Sequence, residues 1–385
     1  MICTTSNIIE RARRICSPPT TSFYEEGVAQ VLLAWAAEIG LPRRIDEWGN
    51  LHVGPAPGRT KGRTLILTAH MDHPGFVVES VRGRRARCRW FGGVLPDYFD
   101  GAIVRIERWS AGRKVKSIRG RITSKSLNER GRVASIRVLF DEAVHAGEIG
   151  CWDLPSFRRV GNHLFARAAD DLMGCVAITL AMDAIAKLKR RAPVRAIFTR
   201  AEEVGFAGAT TLALSDLLPR EALIIVMETS KELPRALQGR GPVLRVGDRM
   251  TLYDPGVAHF LHKTAESLSA SDRRFKFQRC LMDGGACEAT AFGLLGARTG
   301  AFALPLRHYH NMSRTRLAPE MVHLEDLRGL VTLLTAIAGE AAGLPVRGSL
   351  PAGEVRQILK IASEYRKDLK RPYKDIGQKL ERPID

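Results

Sequence analysis

Four apolar runs, each delivering a histidine or a carboxylate at its far end, constrain this chain more than anything else in its sequence. LILTA leads into His70, with Asp72 two positions on; AIFTRA leads into Glu202 and Glu203; LIIVM leads into Glu228; GAFALPLRHY leads into His310. A fifth group, Asp170, stands just before a long helix-forming stretch. Short runs that are apolar at nearly every position read as strands buried on both faces. Segments of helical period lie between them, as in DDLMGCVAITLAMDAIAKLKR and LEDLRGLVTLLTAIAGEAAG. Strand and helix in alternation predict an α/β fold with a mostly parallel sheet sandwiched by helices. Ligands of such sheets bind outside the carboxyl ends of the strands, so these five segments are expected to converge on one edge.

The pattern changes between about Val77 and Val160. Short β-like stretches (AIVRIERW, KSIRGRIT, RVASIRVLF) alternate there with glycine and charged turns, and no long helix is evident. This predicts a small all-β domain, residues 77–160, inserted into a discontinuous catalytic α/β domain of residues 1–76 and 161–345. Residues 346–385 read as a basic C-terminal extension. At the start, SNIIERARRIC and EEGVAQVLLAWAAEIG read as helices, the second stopped by Gly40 and Pro42.

The formal net charge of +18 raises the question of a nucleic-acid partner. The excess is spread along the chain, and its densest part, Arg82 to Arg137, carries no interleaved stacking aromatics. That argues against nucleic acid. No apolar run approaches the roughly 20 residues of a bilayer span, so no membrane partner is expected. Charges fill the place of a signal peptide's apolar core, and the seven cysteines form no CxxC pair. A cytoplasmic protein with free thiols is the expectation.

The ligand types fit divalent metal chemistry. Two imidazoles with several carboxylates suit zinc, cobalt or manganese. Two neighbouring ions need a shared carboxylate, a group that orients an imidazole, and a free carboxylate to accept a proton from water. Two local alternatives stay open on the residues alone. Asp171 competes with Asp170, although it is also placed to cap the following helix, and His308 competes with His310.

The segments HMDHPGF, ADDLMGC, AEEVGFAGA, VMETS and RHYHN resemble, in order and approximate spacing, those of the tetrahedral (TET) and glutamyl aminopeptidases, some of which carry an endoglucanase label. The resemblance runs from about Ile8 to Gly343 and takes in FGGVLPDYFDGAIVRI and GEIGCWD of the inserted domain. It implies a zinc-exopeptidase type of fold and a metal-dependent aminopeptidase acting on peptides with two divalent ions per subunit, zinc first and cobalt or manganese as alternatives. By resemblance Asp170 bridges the ions, His70 and Glu228 hold one, Glu203 and His310 hold the other, Glu202 is the general base, and Asp72 orients His70. It also implies a homo-oligomer assembled through the inserted domain.

The chain departs from the family pattern at several points. Leu172 stands where relatives commonly have arginine, and Glu228 where aspartate is usual. GGACEA at Gly284 to Ala289 replaces Gly-Gly-Thr-Asp-Ala, His73 replaces a common glutamate, and MSRTRLAPE after His310 is longer than usual. Two further functions are compatible with the same residues: a two-metal hydrolase of another amide, such as an N-acyl amino acid or small peptide deacylase, and a catalytically impaired relative acting as a binding protein. A glycosidase fits poorly, because the adjacent Glu202 and Glu203 are not spaced to flank a sugar.

Overall fold

The computed structural model describes residues 3–55, 63–110 and 113–344. The predicted C-terminal extension lies outside them. Two helices open the chain. α1 (Thr5–Cys16) starts on Thr4, whose side chain accepts from the Asn7 amide, and it buries Ile8, Ala12, Ile15 and Cys16 at helical spacing. α2 (Glu26–Glu38) buries Val28, Leu32, Trp35 and Ala36. Strands β1 (Arg43–Ile45), β2 (Leu51–Val53) and β3 (Leu65–His70) follow.

The chain then forms a closed six-stranded barrel from β4 (Gly75–Arg82), β5 (Arg85–Phe91), β6 (Ile103–Ser110), β7 (Arg113–Leu127), β8 (Val133–Phe140) and β9 (Ile149–Trp152). Its strands pair antiparallel in the order β4-β5-β8-β7-β6-β9. Alternation explains the arginine-rich sequence of β5. Arg85, Arg87 and Arg89 face out, while Ala86, Cys88 and Trp90 enter a core shared with Phe76, Phe99, Phe140 and Trp152. Glycine is required at position 150, where a Cβ would sit 2.1 Å from the Phe76 ring.

The remaining elements, in chain order, are β10 (Phe157–Val160), β11 (His163–Ala166), α3 (Leu172–Ile185), β12 (Val194–Thr199), α4 (Ala207–Ala213), β13 (Leu223–Lys231), β14 (Val243–Asp248), α5 (Pro255–Ser271), β15 (Gln278–Met282), α6 (Glu288–Leu294), β16 (Arg298–Leu306), β17 (Glu320–His323) and α7 (Leu324–Glu340). β10, β11 and β17 make a small antiparallel sheet outside the barrel.

The main sheet has eight strands in the order β1-β2-β12-β3-β13-β16-β14-β15. Its centre, β12-β3-β13-β16, is parallel. Helices cover both faces. Leu65, Leu67 and Ala69 pack into a core with α1, α2, α3, α5 and α7, whereas Ile66, Ile197, Ile224 and Val226 pack against α4 and α6. Every position of β3 and β12 is therefore buried, which is why their sequences are apolar runs and not alternating ones. The same parity places His70 and Glu228 on the α4 and α6 face at the carboxyl edge.

Candidate metal centre

β3 ends on His70 and β13 carries Glu228, on neighbouring parallel strands. Asp170 comes from the turn before α3 and reaches both imidazoles. Its Oδ1 lies 3.5 Å from His70 Nε2 and its Oδ2 lies 3.8 Å from His310 Nε2. Glu228 Oε1 stands 4.0 Å from His70 Nε2, and Glu203 Oε1 stands 3.1 Å from His310 Nε2. Two groups able to hold a cation result, His70 with Asp170 and Glu228, and Asp170 with Glu203 and His310. They share Asp170. Each group is compact, with its ligand atoms within 4.8 Å of one another.

The residues fit divalent ions for reasons of their own. His70 Nε2, Asp170 Oδ1 and Glu228 Oε2 are buried and lack a hydrogen-bond partner among the described residues. Buried polar atoms are rarely left so. The far side of each imidazole is held: His70 Nδ1 lies 3.2 Å from the Asp72 carbonyl and 3.4 Å from Asp72 Oδ1, and His310 Nδ1 lies 2.6 Å from the Gly93 carbonyl. Donation from Nδ1 leaves Nε2 as the lone-pair nitrogen, the arrangement ligand histidines use.

Electrostatics point the same way. Burial pushes the Glu228 carboxyl well above its ordinary value, and Asp170 and Glu202 add to it. Burial does the same to Glu202, opposed by His70 and reinforced by Glu203, Asp72 and Asp170. Burial opposes charge on His310, yet Glu203 and Asp170 raise it to about 9. Burial likewise opposes charge on His70, and Asp170, Asp72 and Glu202 outweigh it. Crowded acids that hold protons and imidazoles that gain them describe a site short of positive charge, which divalent cations supply.

Asp72 organises the loop after β12. Its Oδ1 accepts from the Glu202 amide at 2.9 Å; its Oδ2 accepts from the Glu203 amide at 3.2 Å and from the Ser22 hydroxyl at 2.6 Å. These bonds and His70 hold its carboxyl below the usual range in spite of burial. The loop needs such support, since Ala201 and Phe206 both adopt a positive φ.

Both pairs of competitors separate in space. Asp171 caps α3, accepting from the Gly174 amide, and takes the Thr229 hydroxyl at 2.7 Å. His308 turns to the Pro319 carbonyl at 2.9 Å. It does not point with His310, because β16 ends at Leu306 and His308, His310 and Asn311 all take positive φ. Among the departures, Leu172 is fully buried in the main core. His73 bridges the Asp170 carbonyl at 2.8 Å and Asn311 Oδ1 at 3.1 Å, and burial lowers its pKa. Cys287 lies 3.2 Å from the Tyr253 hydroxyl, and burial raises the Glu288 carboxyl to about 7.

Sequence reasoning missed Glu320. This fully buried carboxylate accepts from the Ala169 and Asp170 amides through Oε2, at 2.7 and 2.9 Å, and from the His310 amide through Oε1 at 2.8 Å. It thus sets the backbone at the shared carboxylate and at one histidine together. Nothing in MSRTRLAPE gives its partners away.

Comparison with known proteins fits this arrangement. Residues 49–333 match the model of the M42 glutamyl aminopeptidase family. A glutamyl aminopeptidase of Lactococcus lactis is 25% identical over 284 residues, covering 67% of this chain and 78% of its own. The TET1 peptidase of Pyrococcus horikoshii, which can assemble into a tetrahedron or a large octahedral shell, has a similar fold: TM-score 0.70, 22% identity, covering 86% of this chain and 99% of that one. So does an endoglucanase of Thermotoga maritima, with TM-score 0.64 and 19% identity over 87% of this chain and 97% of that one. Among the described residues no helix is long and apolar enough to cross a membrane. The family match spans most of the chain, and the chain belongs to that family.

Proposed function

We propose that this member of the M42 glutamyl aminopeptidase family is an aminopeptidase that removes N-terminal residues from peptides with two divalent ions, zinc first and cobalt or manganese as alternatives. The observation that carries the reading is the pair of buried ligand groups sharing Asp170, with unpartnered atoms turned into them. His70, Asp170 and Glu228 would hold one ion, and Asp170, Glu203 and His310 the other. When bound, the ions supply Lewis acidity and lower the pKa of water.

The protein's own residues do the rest. Glu202 accepts a proton from the attacking water and returns it to the departing amine, a task suited to a carboxyl that burial raises above its ordinary value. Asp72 holds the Glu202 amide and the His70 ring in one arrangement, so the base and a ligand keep their spacing. Asp170 between the two imidazoles fixes the separation of the two ligand groups.

The same reading treats residues 77–160 as an insertion built on the barrel, within a catalytic unit of residues 1–76 and 161–345. By analogy with the TET1 assemblies, it expects a homo-oligomer formed through that insertion. A monomeric mass by light scattering at micromolar concentration contradicts the assembly.

Purified protein should carry two metal equivalents and cleave aminoacyl anilides, with activity abolished by chelator and restored by metal. The Glu202→Gln variant should keep both equivalents and lose turnover. Activity that survives complete metal removal refutes the mechanism, and undiminished turnover in Glu202→Gln removes that residue from its role.

A further inference from the structure

Phe23 is a large aromatic residue held against its own backbone preference. Its φ of +73° lies in the left-handed region that bulky residues avoid, and it is 45% exposed. Strain of this kind persists only where the surroundings over-determine it, and it concentrates at ligand sites. Three contacts fix this segment. The Phe23 amide donates to Glu25 Oε1 at 2.9 Å, Arg200 donates to the Phe23 carbonyl at 2.5 Å, and the adjacent Ser22 hydroxyl donates to Asp72. Glu25 also accepts from the Arg200 side chain and the Ala201 amide. The backbone at Phe23 is therefore tied on both sides to the loop that carries Glu202.

The ring meets Phe91 edge-on, with 5.6 Å between centroids. Phe91 lies two residues before Gly93, whose carbonyl holds His310. The aromatic pair thus spans from the Glu202 side of the centre to the His310 side.

We propose that Phe23, braced edge-on by the buried Phe91, forms a subsite for an apolar side chain on the second residue of the peptide, the residue whose amine departs. This rests on Glu202 being the group that protonates that amine. The departing residue then lies beside the Glu202 loop, to which Phe23 is anchored. A half-exposed ring gains by covering itself with apolar surface, and glycine at the second position offers none.

The test uses tripeptide amides that share the N-terminal residue best accepted by the metal-loaded enzyme and carry Gly, Ala, Leu or Phe second. The wild-type kcat/KM is expected to rise about tenfold from Gly to Phe, the usual scale for an apolar pocket, and chiefly through KM. In Phe23→Ala and in Phe23→Gly, which accepts the positive φ without strain, that ratio should fall below about threefold. Calorimetry of the same peptides on the Glu202→Gln variant reads the preference without turnover. Preferential binding with no cleavage by the wild type refutes the aminopeptidase reading and supports the subsite. A flat wild-type series in binding, or a preference unchanged in both Phe23 variants, overturns the subsite.

Discussion

Glu320→Gln separates the two halves of the centre. The wild-type carboxylate serves two amides through Oε2 and one through Oε1. Glutamine keeps the shape but has one accepting atom. The lower-energy placement keeps its carbonyl at Ala169 and Asp170 and turns its NH2 toward the His310 amide. A buried N–H that faces another donor loses its acceptor, at a cost of about 1–3 kcal/mol. The strain falls on the turn at His310, whose φ is +52°, and not on His70 or Glu228. Losing a group that orients a ligand typically lowers metal affinity about 10- to 100-fold. One of the two equivalents should therefore weaken by that factor while the other stays. The assay is a zinc titration of the metal-free protein against a chromophoric chelator, with bound metal counted at each free concentration. Two steps separated by one to two decades in the variant, against closer steps in the wild type, are expected. Equal weakening of both sites refutes the assignment of the loss to His310, and no change at either refutes the positioning role altogether.

Other outcomes follow from the same structure. Chelation should lower the thermal unfolding midpoint, because an ion present at 100 times its dissociation constant contributes about 2.7 kcal/mol per site; an unchanged midpoint in excess chelator contradicts this. Leu172→Arg, which restores the residue common in relatives, should destabilise the protein by several kcal/mol, since it drives an unpaired charge into the main core; a variant of wild-type stability in urea refutes the burial argument. Burial raises the Asp326 carboxyl to about 6 despite the Gly239 and Gly241 amides that it accepts. Its folded pKa exceeds the unfolded value, so its contribution is complete below about pH 4 and is lost as pH rises through 6. Asp326→Asn should remove that dependence, so that the stability gap between variant and wild type shifts by roughly 1–3 kcal/mol between pH 4 and 7; a gap independent of pH refutes it. Gly150→Ala should cost about 1–3 kcal/mol through overpacking against the Phe76 ring, read by urea unfolding, where no loss contradicts the clash.

The central strands were legible because burial on both faces leaves a sequence few options. β3, β12, β13 and β16 each read as apolar runs, and the carboxyl-edge rule then gathered His70, Glu202, Glu203 and Glu228 without any structure. The barrel was legible as β structure from stretches such as RVASIRVLF, the later β8, where Arg137 faces out and Ile136, Val138 and Phe140 face in. Its closure was not, because closure depends on β4 meeting β9 across more than seventy residues. Short β1 and β15 were lost for a different reason. β1 is exposed throughout, and in β15 the polar Gln278 lies on the half-buried side while Leu281 is exposed, so residue type does not mark the period.

What the sequence concealed at the centre is the backbone conformation that aims the candidate ligands. An extended continuation of β16 would send His308 and His310 to the same side. The structure instead turns the chain through left-handed residues at His308, His310 and Asn311, none of them glycine. Left-handed backbone is uncommon outside glycine, although histidine and asparagine tolerate it better than most residues. It is held from outside by the Glu320 carboxylate on the His310 amide, the Gly93 carbonyl on the His310 ring and the His73 ring on Asn311. Those three partners come from β17, from the segment after β5 and from the segment after β3. A ligand set can therefore be read where a strand delivers it, as with His70 and Glu228. Where tertiary contacts overrule the local chain, as at His310, the residues alone leave His308 open beside it, and the choice between them rests on resemblance. The same reasoning applies to Phe23, whose left-handed backbone is imposed by Glu25 and Arg200 and invisible in TTSFYEE.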